Sequence, residues 1–137
     1  KDNFTSDKLL DYLKDINIKF PEIVFAQAYL ETGGFDSQVF KINNNCFGMK
    51  EAQRRPTMSK GTELNHAIYD NWKESCIDYG LYQARYLSDI RTEADYFKYL
   101  GRNYAEDIHY VDKVQAILKK LKEVPQLKTI QLDTCTD

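Results

Sequence analysis

The feature that most constrains this chain is a set of apolar stripes at helical spacing, each cut off by residues that stop helices. Leu9, Leu10, Leu13 and Ile16 form the first stripe, and Thr5 or Ser6 stands before it as a cap. Phe20-Pro21 opens a second helix, because proline suits the first helical position, and Gly33-Gly34 ends it. Trp72, Cys76, Tyr79, Gln83 and Tyr86, broadened by Ile77, Leu81 and Ala84, mark a long helix over about 72–87. A shorter one is expected over about 93–100, with Gly101 as its stop. The last starts at Asp107 or His109, buries Val111, Val114, Ile117, Leu118 and Leu121, and closes at Pro125.

Between the second and third helices the pattern changes. Residues from Phe35 to about Thr57 read as irregular, with turn formers at Asn43-Asn44-Asn45 and Gly48. Residues 50–71 read as a short hairpin with Gly61 near its tip, a strand-like alternation over His66-Ala67-Ile68-Tyr69, and a mobile loop from Arg54 to Glu63. The expected fold class is therefore mainly α, an α+β chain with a helical lobe and one small β-hairpin lobe. A length of 137 residues suits one domain. That domain is expected over 1–125, followed by a weakly patterned C-terminal tail over 126–137.

Composition excludes some functions. The formal net charge is -2 and no basic run forms a stripe, so nucleic acid is not an expected partner. Lys119, Lys120 and Lys122 are better read as cations complementing the end of the last helix. No apolar run is long enough to span a membrane. No leader pattern follows Lys1, which does not place the chain in the cytoplasm. Cys46, Cys76 and Cys135 allow one disulfide and leave one thiol over, and spacing does not choose the pair. No Cys/His cluster points to a metal, His66 and His109 stand alone, and no cofactor is expected. Ten tyrosines and seven phenylalanines are informative, because tyrosine joins a flat apolar face to a hydroxyl, as a saccharide groove requires.

The chemistry centres on Glu31. It falls in the last turn of an apolar helix, just before the glycine pair. Partial desolvation there disfavours the carboxylate and raises the pKa. A glycosidase acid must stay protonated near neutral pH, so this placement suits it. The competing reading is an ordinary surface glutamate at a helix end.

Four blocks, in order, resemble the glucosaminidase family of bacterial cell-wall hydrolases, glycoside hydrolase family 73. The first is Ala26 through Gly33, matching Ala-Gln-x-x-Leu-Glu-(Ser/Thr)-Gly. The second is Asn44-Asn45-Cys46-Phe47-Gly48-Met49-Lys50, with Cys46 where the family usually has leucine. The third comprises Tyr69, Trp72, Glu74 and Ser75. The fourth comprises Tyr104, Ala105, Asp107, Tyr110, Lys113 and Val114. Together they cover about Phe20 to Leu121.

This resemblance implies a lysozyme-like fold and cleavage of the β-1,4 bond after N-acetylglucosamine in peptidoglycan. Glu31 would be the general acid and Tyr104 would line the sugar site; residue patterning alone does not find Tyr104. The second catalytic group is implied on the hairpin lobe, where Glu63 is the best match and Asp70 and Glu51 compete. The substrate's own acetamido oxygen is the alternative. Asn45, Phe47, Gly48 and Lys50 are expected to form the cleft floor, and Trp72 and Tyr110 to contact sugar. Their structural alternatives are a packed turn for the first group and core positions for the two aromatic residues. Arg54 and Arg55 are candidates for peptide-stem carboxylates, or else a solvated pair. The expected partner is the peptidoglycan glycan strand, the expected location extracytoplasmic, and the expected state a monomer. Competing functions are a muramidase or lytic transglycosylase on the same polymer, and a non-catalytic peptidoglycan-binding module.

Overall fold

The computed structural model describes residues 4–104 and 106–123. The expected tail over 126–137 lies outside the described residues. The elements run α1 (Ser6–Asp15), α2 (Pro21–Glu31), α3 (Gln38–Asn43), β1 (Thr62–Glu63), β2 (His66–Ala67), α4 (Trp72–Tyr86), α5 (Glu93–Tyr99) and α6 (Tyr110–Glu123). A π-helical turn, Leu100–Tyr104, continues from α5. Among the described residues the fold is mainly helical with one two-stranded antiparallel sheet, as expected.

Helix α2 is the central rod. Ile23 to Ala28 are all buried, so it is covered on every side and needs neighbours all round. It packs against α6 and α1. Phe20 caps it with a left-handed backbone (φ 55°) and stacks on Tyr96 at 5.2 Å. At the other end Gly33 and Gly34 both have positive φ. The Gly34 N–H returns to the Tyr29 carbonyl at 2.8 Å and closes the helix just after Glu31. Thr5 caps α1 through its hydroxyl, as one of the two expected caps.

Several expectations need correction. The stretch expected to be irregular contains α3, begun by a Ser37 side-chain cap on the Phe40 N–H; its six residues are too few for a helical period to stand out. The hairpin tip is Leu64-Asn65, three residues beyond Gly61. Both tip residues have positive φ, as a two-residue type I′ loop requires, and the register pairs Thr62 with Ala67 and Glu63 with His66. Gly101 does not stop α5 outright, because the chain widens into the π turn first.

The 54–63 segment is anchored rather than loose. The Arg55 guanidinium, 4% exposed, forms an ion pair at 2.8 Å with the fully buried Asp78 of α4. Asp78 also accepts from the Tyr69 hydroxyl at 2.5 Å and from the Met58 N–H at 3.0 Å. Burial pushes the Asp78 carboxyl up, but the Arg55, Tyr69 and Met58 donors more than offset it and hold the carboxyl below its ordinary value. This polar cluster ties the segment before the hairpin to α4, and Asn43 of α3 adds a second tie through its Nδ2, which donates to the Glu63 carbonyl at 2.7 Å. Cys46 and Cys76 are both buried free thiols.

Candidate active site

Glu31 leaves the C-terminal turn of α2 half-buried, facing the loop after α3. Burial is the main influence and raises its pKa; a hydrogen bond from Tyr110 and the charge of His66 act the other way. The opposing loop reaches Glu31 at Gly48, whose φ is +65°. A side chain there would put its first carbon 3.0 Å from Glu31 Oε1. Only glycine gives both the backbone turn and the room beside the carboxyl.

That loop is shaped from within by Asn45. Its Oδ1 accepts from the Phe47 and Met49 N–H groups, each at 3.2 Å. Its Nδ2 donates to the Met49 carbonyl at 2.8 Å and the Ala67 carbonyl at 3.0 Å, joining loop to hairpin. Asn45 is fully buried, so it positions the loop and does not meet a substrate. Phe47 is 1% exposed and stacks on Tyr79 at 4.7 Å, which makes it a core residue too. Its contribution to the cleft is its carbonyl, which accepts from the Tyr104 hydroxyl at 3.3 Å.

Tyr104 and Tyr110 are brought together. Their rings stack at 5.4 Å, with Tyr104 carried by the π turn and Tyr110 by the first turn of α6. Tyr110 is held from below by Gln27 of α2, whose Nε2 donates to its hydroxyl at 3.3 Å. The same amide donates to Tyr79 at 3.2 Å, and its Oε1 accepts from Tyr96 at 2.5 Å. Gln27 is fully buried, and this tyrosine network satisfies its amide. Because the Tyr110 oxygen accepts from Gln27, the single Tyr110 proton is left to donate to Glu31. Pattern reading missed Gln27 as a site residue. The available signal was a buried-face polar residue one helical turn before the catalytic candidate.

On the hairpin, Glu63 is exposed and pairs in register with His66, so the two side chains leave the same face. His66, expected to stand alone, is close enough for its charge to act on Glu31. The competitors of Glu63 are engaged elsewhere: Glu51 accepts from the Thr62 hydroxyl at 3.1 Å, and Asp70 lies 3.8 Å from Lys60. Lys50 is exposed at the cleft edge. Trp72 is not brought to the site. It is 4% exposed and meets Phe4 at 5.2 Å and Tyr12 at 5.7 Å, so the expected sugar contact is corrected to a core role. Arg55, paired with Asp78, is neither a stem contact nor a solvated residue. Among the described residues no group of three or more His, Cys, Asp or Glu side chains could hold a metal. No described helix is long and apolar enough to cross a membrane.

The family profile described as mannosyl-glycoprotein endo-β-N-acetylglucosaminidase, or glucosaminidase, matches residues 7–123. The chain belongs to the glucosaminidase family. The catalytic domain of the autolysin Auto from Listeria monocytogenes has a similar fold. Its crystal structure matches with a TM-score of 0.59 and 24% identity, over 85% of this chain and 80% of that one. A comparison with curated proteins returns no match. Glucosaminidases are glycoside hydrolases, and the matched region includes Glu31, Gly48, Tyr104 and Tyr110.

Proposed function

We propose that the chain hydrolyses peptidoglycan, cutting the β-1,4 bond after N-acetylglucosamine with Glu31 as general acid. The observation that carries this reading is the environment of Glu31. A half-buried carboxyl with a raised pKa lies beside Gly48 and is engaged by Tyr110, whose ring stacks on Tyr104. A protonated Glu31 would deliver its proton to the leaving glycosidic oxygen. Tyr110 would then stabilise the carboxylate that forms, while Tyr104 lines the adjoining sugar position.

Glu63 is the protein group we propose for the opposite face, as base to a water. Its support is the hairpin face it shares with His66, whose charge reaches Glu31. In that scheme the product is inverted at the anomeric carbon. Peptidoglycan lies outside the cytoplasm, so that is the compartment we assign, with the chain acting as a monomer over a single domain spanning 1–125.

The test is digestion of purified peptidoglycan, with reduction and mass spectrometry of the new ends. Reducing-end N-acetylglucosamine supports the reading. Reducing-end N-acetylmuramic acid or an anhydro-sugar would replace it with a muramidase or transglycosylase. Proton NMR of the first-formed anomer tests Glu63: net retention would remove it from the role of base.

A further inference from the structure

Asn43-Asn44-Asn45 closes α3, and all three side-chain amides donate to carbonyls in the 63–69 segment. Asn44 reaches the Tyr69 carbonyl at 2.8 Å and Asn45 the Ala67 carbonyl at 3.0 Å. Of the three, Asn43 is the one that reaches Glu63. Its Nδ2 lies 2.7 Å from the Glu63 carbonyl and 3.3 Å from the carbonyls of His66 and Ala67. Its own carbonyl accepts from the Tyr69 N–H at 2.9 Å. A hairpin with strands of two residues has little stability of its own, so ties of this kind decide where it stands.

Asn43 is fully buried, yet its amide is satisfied at one end only. The two N–H groups serve three carbonyls, while Oδ1 is buried and has no partner among the described residues. A buried acceptor left unpaired costs stability, so this side chain is a poor choice for stability alone. What it supplies is placement. Among the described residues no hydrogen bond or ion pair holds the exposed Glu63 side chain. Its position is therefore set by its backbone, where Asn43 makes its shortest hydrogen bond. A slip of one residue in the Glu63–His66 register would turn both side chains to the opposite face.

We propose that Asn43 is a positioning residue for the reaction: its amide grips the Glu63 carbonyl and so sets where the Glu63 carboxylate meets the attacking water. The proposal rests on the reading of Glu63 as the base. In that step the carboxylate takes a proton from water as the water oxygen bonds to the anomeric carbon. The glycosidic bond breaks, and Glu31 protonates the leaving oxygen. A base displaced by part of an ångström slows this step while the substrate still binds, so the loss belongs in kcat rather than KM.

The test is a cycle of four proteins: wild type, Asn43→Ala, Glu63→Gln and the double variant. Release of new reducing ends from soluble peptidoglycan strands gives kcat and KM, well below each unfolding midpoint. Amide hydrogen exchange reports which segments loosen. Asn43→Asp repeats the cycle with the side-chain shape kept. Ionised, it has no donor for the Glu63 carbonyl; protonated, it regains one O–H.

Asn43→Ala is expected to lower kcat about tenfold with KM changed less than about twofold. Exchange should quicken over 62–67 and not in α2 or α4. In the Glu63→Gln background the same substitution should cost less than about twofold in kcat, because the base it places is already gone. Asn43→Asp should regain kcat relative to wild type as pH falls and its O–H donor returns, and only where Glu63 is intact. Equal fold losses in both backgrounds overturn the proposal and leave Glu63 as the base, and so does an unchanged kcat in Asn43→Ala. Failure of both Asn43→Ala and Asn43→Asp to fold also overturns it, since Asn43 would then hold the whole domain. Wild-type turnover in Glu63→Gln removes the base assignment and the proposal with it. No release by wild type removes the hydrolase reading on which both rest.

Discussion

Replacing Gly48 by alanine perturbs the cleft in two separable ways. The first is backbone strain. At φ +65° an L-residue pays about 1–2 kcal/mol, and the stiffer unfolded chain adds a change of about 0.4–1 kcal/mol that works the other way for compatible sites. A net loss of about 1 kcal/mol lowers the unfolding midpoint of a chain this size by roughly 3–5 °C. The second is contact. The new carbon would lie 3.0 Å from Glu31 Oε1 and 3.8 Å from its carboxyl carbon, so the acid must shift by a few tenths of an ångström. Misplacement by about 1 Å costs about a hundredfold, so a smaller shift should cost on the order of tenfold in kcat/KM. Gly48→Asn separates the two effects, because asparagine tolerates the left-handed backbone but still carries the carbon. It should recover most of the midpoint and little of the activity. Reducing-end release and thermal unfolding on the three proteins check this. Full activity in Gly48→Ala with a lowered midpoint would refute the placement of Gly48 against the acid.

Gln27→Leu removes an amide shared by Tyr110, Tyr79 and Tyr96 and leaves the Tyr79–Tyr96 pair bonded only to each other, at a cost of about 1–3 kcal/mol. Chemical denaturation should show that loss, while Gln27→Glu should fold better but change the pH profile. Asp78→Ala leaves the Arg55 charge buried and alone, which should cost about 3–5 kcal/mol by the same assay, and replacing both partners with apolar residues should recover part of it. Activity is expected to fall as pH rises through the Glu31 pKa, because the acid must be protonated. Tyr110→Phe removes a donor to the carboxylate, so the falling limb of the kcat/KM profile should move to higher pH. The same raised pKa has a consequence for stability. The native state holds its Glu31 proton above the unfolded pKa, so that contribution is present at low pH and is lost as pH rises through the folded value. Glu31→Gln should therefore match or exceed the wild-type unfolding midpoint at neutral pH and lose that advantage in acid.

The helices were legible because their stripes are long enough for the period to register, and α1 and α2 start or stop at residues whose chemistry marks those ends, Thr5 for the first and Pro21 and Gly33-Gly34 for the second. Glu31 was legible for the same reason, since the Gly33-Gly34 break fixes it in the last turn of a buried helix. What was missed depends on contacts between distant segments. Nothing local distinguishes Arg55 from Arg54, yet one is buried on Asp78, 23 residues away, and the other is exposed. Trp72 starts a helix whether it faces a cleft or Phe4, and only the N-terminal segment folding over it decides. The hairpin tip was read as near Gly61 because glycine is the usual turn signal, whereas Leu64 and Asn65 take positive φ under the constraint of the Thr62–Ala67 pairing. Asn45, Phe47, Gly48 and Lys50 were expected together on the cleft floor because the matched loop follows Glu31 in sequence; the Asn45 and Phe47 side chains are buried, and Gly48 is the one beside the Glu31 carboxyl.

The central claim is that Glu31 supplies the proton in a glycan-cleaving reaction. The direct measurement is turnover of purified peptidoglycan by wild type and Glu31→Gln, alongside the affinity of each for the same strands. Glutamine keeps the size and removes the proton, so turnover should fall on the order of a hundredfold or more while affinity changes little. A Glu31→Gln protein that still released reducing ends at the wild-type rate would contradict the account.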